Sequence, residues 1–217
     1  MISKEEFMSY AKKSYETRGF VKVFFEFLSL FFILFFLTFT LMNLPSIIVK
    51  MRYFWKFSYP STQNVRSPEQ VQKELENKPQ NRLYIPNLNI DAPIAWNVPE
   101  ENIEDELLNG VVHFNGTALP GQQGNVFITG HSSFYPWSKS EYKSVFALID
   151  ELNLQDEIYI SYNNKVYNYR IVNKKVVSPD QVNVLNETSN GKKTLTLMTC
   201  VPLGTNLKRL LVIAEEF

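Results

Sequence analysis

Lys193-Thr194-Leu195-Thr196-Leu197-Met198-Thr199-Cys200, the eight residues Val201–Lys208, and then Arg209-Leu210-Leu211-Val212-Ile213-Ala214 make up the stretch on which the reading of this chain turns. The first run alternates with period two. That puts Leu195, Leu197 and Thr199 on one face of a strand and Thr196, Met198 and Cys200 on the other. The connecting loop carries Pro202 and Gly204, and Arg209 opens a second apolar strand. If the two strands are antiparallel neighbours, the end of one lies beside the start of the other. Cys200 and Arg209 then occupy the same end of a sheet.

The same texture extends backwards to about Asn81, with brief apolar runs broken by Gly, Pro, Asn and Asp. Strands are expected at Arg82–Ile85, Ala92–Ala95, Asn125–Thr129, Glu157–Tyr162, Lys165–Val177, Lys193–Thr199 and Arg209–Ala214. Tyr162-Asn163-Asn164-Lys165 has the residues of a tight hairpin between two of them. Helical patches are expected at Asn102–Leu108 and at Ser144–Leu152, where Val145, Leu148, Ile149 and Leu152 share a face. Many short strands with few helices point to a mainly β domain, either a sandwich or a closed barrel.

The front of the chain is of another kind. Nine of the seventeen phenylalanines fall between Phe20 and Phe39, and no charged residue occurs from Phe27 to Val49. Such a helix is about 34 Å long at 1.5 Å per residue, enough to cross a hydrocarbon core about 30 Å thick. Residues 27–49 are therefore read as a transmembrane anchor, behind an N-terminal segment of residues 1–26. A cleavable signal peptide would end in small residues, whereas Lys50-Met51-Arg52-Tyr53-Phe54-Trp55-Lys56 follows here. Lys12, Lys13, Arg18 and Lys22 precede the span and Lys50, Arg52 and Lys56 follow it, so charge alone does not orient it. Residues 50–80 read as a linker lifting the rest from the bilayer. Within it, Ser67-Pro68-Glu69-Gln70 signals a short helix through about Glu76. Residues 81–217 form the remaining domain.

Composition narrows the function. Twenty-two basic and twenty-two acidic residues give no net charge, so no nucleic-acid partner is expected. One cysteine and two histidines leave too little material for an intramolecular disulfide or a cysteine-rich zinc site.

His131 stands, like Cys200, at the end of an expected strand, in Asn125-Val126-Phe127-Ile128-Thr129-Gly130-His131. Gly130 allows an unusual backbone angle or a close approach there. Together Cys200, His131 and Arg209 supply a nucleophile, a proton carrier and a fixed positive charge, the set that thiolate attack on a carbonyl requires. Taken singly, each has a plainer reading. A lone cysteine is usually a small buried apolar residue, a lone histidine is usually structural, and a strand-start arginine usually pairs with a surface carboxylate. His113, in Val111-Val112-His113-Phe114, is read first as structural or surface. The stretch Ser132–Ser138, with Phe134, Tyr135 and Trp137, reads equally as a pocket wall or a packed lid.

The joint context resembles that of the sortases, membrane-anchored cysteine transpeptidases of the bacterial surface. Thr196-Leu197-Met198-Thr199-Cys200 matches the family's Thr-Leu-x-Thr-Cys motif. Arg209 matches its downstream arginine and Gly130-His131 its histidine. Leu83-Tyr84-Ile85-Pro86 and Gly110-Val111-Val112-His113, ahead of Gly116-Thr117-Ala118-Leu119-Pro120-Gly121, agree as well.

The resemblance implies a closed eight-stranded β-barrel with short helices, outside the cell, with the N-terminus inside. It implies Cys200, His131 and Arg209 as catalytic residues, and Thr199, Met198 and Ser132 as substrate-binding ones. The reaction implied is cleavage of a Leu-Pro-x-Thr-Gly-like sorting signal through a thioacyl intermediate, followed by transfer to an amine acceptor of the cell envelope. The implied partners are secreted proteins bearing that signal, the acceptor, and membrane lipid around the anchor. No cofactor is expected. No metal is expected either, because Asp180 and Glu187 are the only carboxylates in the loop where some relatives bind calcium. No second apolar span stands near Phe217, so the pilus-polymerising class is not expected. The rivals are a membrane-tethered cysteine peptidase that mainly hydrolyses, an L,D-transpeptidase-like crosslinker, and a non-catalytic surface binding module. The crosslinker would carry arginine two residues after its cysteine, where Pro202 stands here.

Overall fold

Eight strands close on themselves in the order β1-β2-β3-β4-β7-β8-β6-β5. In the computed structural model these are β1 Arg82–Ile85, β2 Ile90–Val98, β3 Val111–Phe114, β4 Gly124–Thr129, β5 Glu157–Tyr162, β6 Lys165–Val177, β7 Lys193–Val201 and β8 Lys208–Glu216. The helices are α1 Lys4–Ser58, α2 Pro68–Glu76 and the single turn α3 Ile103–Glu106. The structure describes residues 4–58, 68–76, 79–181 and 191–217. The chain divides into two units, Met1–Met42 and Asn43–Phe217.

The first unit is helical. Gly19–Leu44, 26 residues, is long and apolar enough to cross a membrane, and its apolar side chains are exposed. This stretch begins before Phe27, the expected start. Lys22 and Glu26, the charges that set that start, lie one turn apart with 3.9 Å between charged atoms. Helix α1 then continues through Lys50 to Ser58, into residues read as linker. Ser67 and Glu187 lie outside the described residues.

The second unit holds the barrel. Its core takes alternate residues from every strand. Leu83 and Ile85, Ala92 and Ile94, Val126 and Ile128, Ile158 and Ile160, Leu195 and Leu197, and Leu210 and Val212 are representative. The pairings β2·β3 and β4·β7 are parallel and the rest antiparallel. Asn163 and Asn164, both at positive φ, close the expected hairpin with Tyr162 opposite Lys165.

Three expectations need correction. Helix α2 is not part of a free tether, because Val71 and Leu75, four residues apart, bury themselves against Tyr84 and Tyr159 on the barrel's outer face. Residues 144–152 bury the expected Leu148, Ile149 and Leu152 but form no α-helix. Successive three-residue turns link Val145 N to Tyr142 O, Ala147 N to Ser144 O and Glu151 N to Leu148 O, while Phe146 gives its amide to His131 O instead. Strand β3 was missing from the expected strands. Four residues are too few for a periodic signal, and its parallel partner β2 lies across a crossover.

Candidate active site

Strand β7 presents Leu195 and Leu197 inward and Met198 to an outer cluster with Phe127, Leu211, Phe114 and Val177. Cys200 is therefore on the outer face, and the β7·β8 register sets it directly opposite Arg209. Residues facing each other this way have Cβ atoms about 5 Å apart on the same side of the sheet. The thiol is free and partly exposed. Arg209 Nη1 donates to Asn206 O (3.0 Å) and Lys208 O (3.3 Å), so the loop's own carbonyls aim the guanidinium. Among the described residues it has no carboxylate partner.

His131 arrives from the other neighbour of β7. Thr129 pairs with Met198, and Gly130 N donates to Met198 O at 3.2 Å. Thr199 Oγ1 donates back to Gly130 O at 2.9 Å. His131, the residue after Gly130, therefore follows at the same end of the sheet as Cys200. Strand β4 has ended by then, and the His131 carbonyl is held instead by Phe146 N at 2.9 Å. Gly130 is needed for close approach and not for an unusual φ, since a Cβ there would stand 2.6 Å from Cδ2 of Phe146.

The imidazole is stacked on Phe134, with ring centroids 4.7 Å apart and planes 29° apart. Its Nε2 is buried and has no hydrogen-bond partner among the described residues. Burial lowers its pKa from the ordinary histidine value, opposed in part by the negative charge of Glu104 on α3.

The other expected site residues divide. Met198 is on the outer face two residues before the thiol. Thr199 is only 3% exposed, faces inward and spends its hydroxyl on Gly130 O, so it braces the His131 segment. Ser132 is 4% exposed, immediately after His131. His113 lies elsewhere, with both nitrogens bonded. Phe134 belongs to the aromatic stretch that the sequence offered as a pocket wall or a packed lid, and it meets the imidazole. Phe146 and Glu104 have no local pattern that marks them, since they meet the His131 segment from a turn segment and a separate helix.

The family model for the sortase domain matches residues 83–217. The chain belongs to the sortase family. Sortase A of Bacillus anthracis is 29% identical over 134 residues, covering 62% of this chain and 58% of that protein. Sortase D of Bacillus subtilis is 26% identical over 137 residues, covering 62% of each. The chain thus spans about three fifths of the length of these curated relatives. Sortase C-1 from Actinomyces oris superposes with a TM-score of 0.55 at 27% identity, covering 69% of this chain and 80% of that one. A Clostridium perfringens sortase D5, described as a transpeptidase, gives 0.52 at 28%, covering 77% and 94%. Among the described residues no cluster of histidine, cysteine and carboxylates could hold a metal ion.

Proposed function

We propose that this sortase is a cysteine transpeptidase. It cleaves a Leu-Pro-x-Thr-Gly-like signal and joins the upstream protein to an amine of the cell envelope. The thiol proton of Cys200 passes to His131, the thiolate Sγ attacks the carbonyl carbon after threonine, and Arg209 stabilises the oxyanion that develops. The C–N bond breaks as His131 delivers a proton to the departing amine, leaving a thioester. The acceptor amine then attacks that thioester, gives its surplus proton to His131 and frees the thiol. In this reading Thr199 positions His131, while Met198 and Ser132 flank the bound peptide. The apolar span Gly19–Leu44 anchors the chain, with the N-terminus inside and the barrel outside.

The observation that carries this reading is the register that sets the free, half-buried Cys200 opposite Arg209 at the end of the sheet toward which the His131 segment also runs. The test supplies full-length protein in detergent with a signal peptide, with and without an amine, and weighs the products. An amide to the added amine is expected, with a thioacyl adduct on Cys200. Cys200→Ala should form neither while keeping the barrel folded, and transfer retained by that variant would refute the assignment. Free acid as the main product in the presence of amine would favour the hydrolytic rival.

A further inference from the structure

Phe134, Tyr135 and Trp137 form a continuous aromatic run leading away from His131. Phe134 stacks on the imidazole, Tyr135 meets Phe134 edge-on at 4.9 Å, and Trp137 stacks on Tyr135 at 4.9 Å with 12° between planes. The run is held from outside as well. Lys143 Nζ donates to Pro136 O (3.2 Å) and Ser138 O (3.0 Å), Ser138 N to Tyr135 O (3.0 Å), and Ser140 Oγ to Leu108 O (2.6 Å). Phe134 is thus a fixed wall for the ring of His131.

That wall does two physical things at once. It keeps water from one face of the imidazole, which disfavours the charged form. It also turns its negative π face to the ring, which favours the imidazolium once formed. The ionisable groups around the ring come from several elements. They are Glu104 on α3, whose charge acts on the ring, Tyr135 on the ring's own loop, and Lys143 on the following segment with its ammonium turned to the loop carbonyls, while Cys200 at the end of β7 and Arg209 at the start of β8 stand at the same end of the sheet. Phe146 puts a ring, and no charge, against Gly130.

We infer that Phe134 is a positioning residue, whose ring fixes the His131 imidazole with Nε2 uncommitted and balances its neutral and protonated forms for proton transfer. The inference rests on the proton-carrier reading of His131 proposed above. It goes further by placing the control of that proton in an aromatic side chain outside the Cys–His–Arg set.

The test titrates ¹³C-labelled histidine in the untagged full-length protein, with the His131 signal assigned by its loss in His131→Ala. Phe134→Ala admits water and raises the His131 midpoint by about 0.5 of a pH unit. Phe134→Leu keeps the slot dry without a π face and lowers it by about 0.5 of a pH unit. Phe134→Tyr leaves it where it is. In peptide transfer, Phe134→Ala lowers kcat about tenfold with KM held within about twofold, and Phe134→Tyr restores the rate. Mere packing would not drive the midpoints of the alanine and leucine variants in opposite directions. Unmoved midpoints, or both moving the same way, would overturn the role of Phe134. Turnover surviving His131→Ala is a separate result, which removes the proton-carrier reading and not the measured hold of Phe134 on the ring.

Discussion

The two histidines of this barrel, His113 buried and His131 half-buried, are both held below the ordinary histidine pKa by burial, yet their surroundings are opposite. Around His113 every nitrogen is used. Its Nδ1 accepts from Asn97 N (3.3 Å), and its Nε2–H donates to Ala118 O (2.9 Å) with Thr117 Oγ1 also at 2.9 Å. The Thr117 hydroxyl donates to Phe114 O, which leaves its oxygen as an acceptor and fixes the neutral tautomer of His113. Trp96 packs beside the ring at 5.1 Å and sends its own N–H to Asn81. Around His131 the main chain is pinned with equal care, through Gly130, Thr199 and Phe146, while Nε2 has no partner among the described residues. A histidine whose nitrogens are all committed holds a structure together. One whose backbone is committed and whose Nε2 is not suits the proton-carrier role proposed for His131.

Replacing each ring separates these roles. His131→Ala should lower peptide transfer by about 10²–10⁴-fold with little change in melting temperature, because no side-chain hydrogen bond is lost. A variant that melts early but still turns over would reverse the assignment. His113→Ala should do the opposite, destabilising by about 1–3 kcal/mol as buried partners are left unpaired, with kcat of the folded protein unchanged. Denaturant midpoints and active-site-titrated rates measure the two sides.

Smaller changes probe the clamp. Gly130→Ala drives a methyl into the Phe146 ring and should cost about 1–3 kcal/mol in stability, along with a loss of rate as His131 is pushed aside. Normal activity would mean that the Phe146 contact does not set the histidine. Thr199→Val removes one donor from Gly130 O and should cost about 1 kcal/mol, with Thr199→Ser recovering most of it. Equal stability of the valine variant would show that the hydroxyl braces nothing.

The smallest effect is in pH. Both histidines bind a proton more readily in the unfolded chain than in the folded one. Their contribution to stability is therefore complete above about pH 6.5 and is lost as pH falls from there through the folded values. Thermal midpoints followed from pH 7 to pH 5 should fall, and fall less steeply in His113→Gln. Parallel curves for the two proteins would show that folding does not change the proton affinity of His113.

Legibility in the sequence followed the range of the interactions. Alternation along Lys193–Cys200 and the short return to Arg209 placed Cys200 and Arg209 correctly at one sheet end, because a strand, a brief loop and a strand are local. The Tyr162–Lys165 hairpin was legible for the same reason. The apolar residues at 144–152 announced burial, but not the turns they adopt. What breaks the helix is the amide of Phe146 going to His131 O, a bond between separate segments. Strand β3 was hidden by its length and its parallel crossover.

The linear order of residues by itself determined an apolar helix long enough to cross a membrane, the β character of residues 81–217, and the Cys200–Arg209 juxtaposition. All of these come from composition or from periods of a few residues. Only the tertiary structure decided which histidine is tied off and which is free, what packs on the imidazole, and why Gly130 has no side chain. Those answers depend on Phe134, Phe146, Glu104 and Thr199 meeting from four separate elements. Contacts of that kind follow from closure of the barrel, which leaves no periodic mark in the residues it brings together.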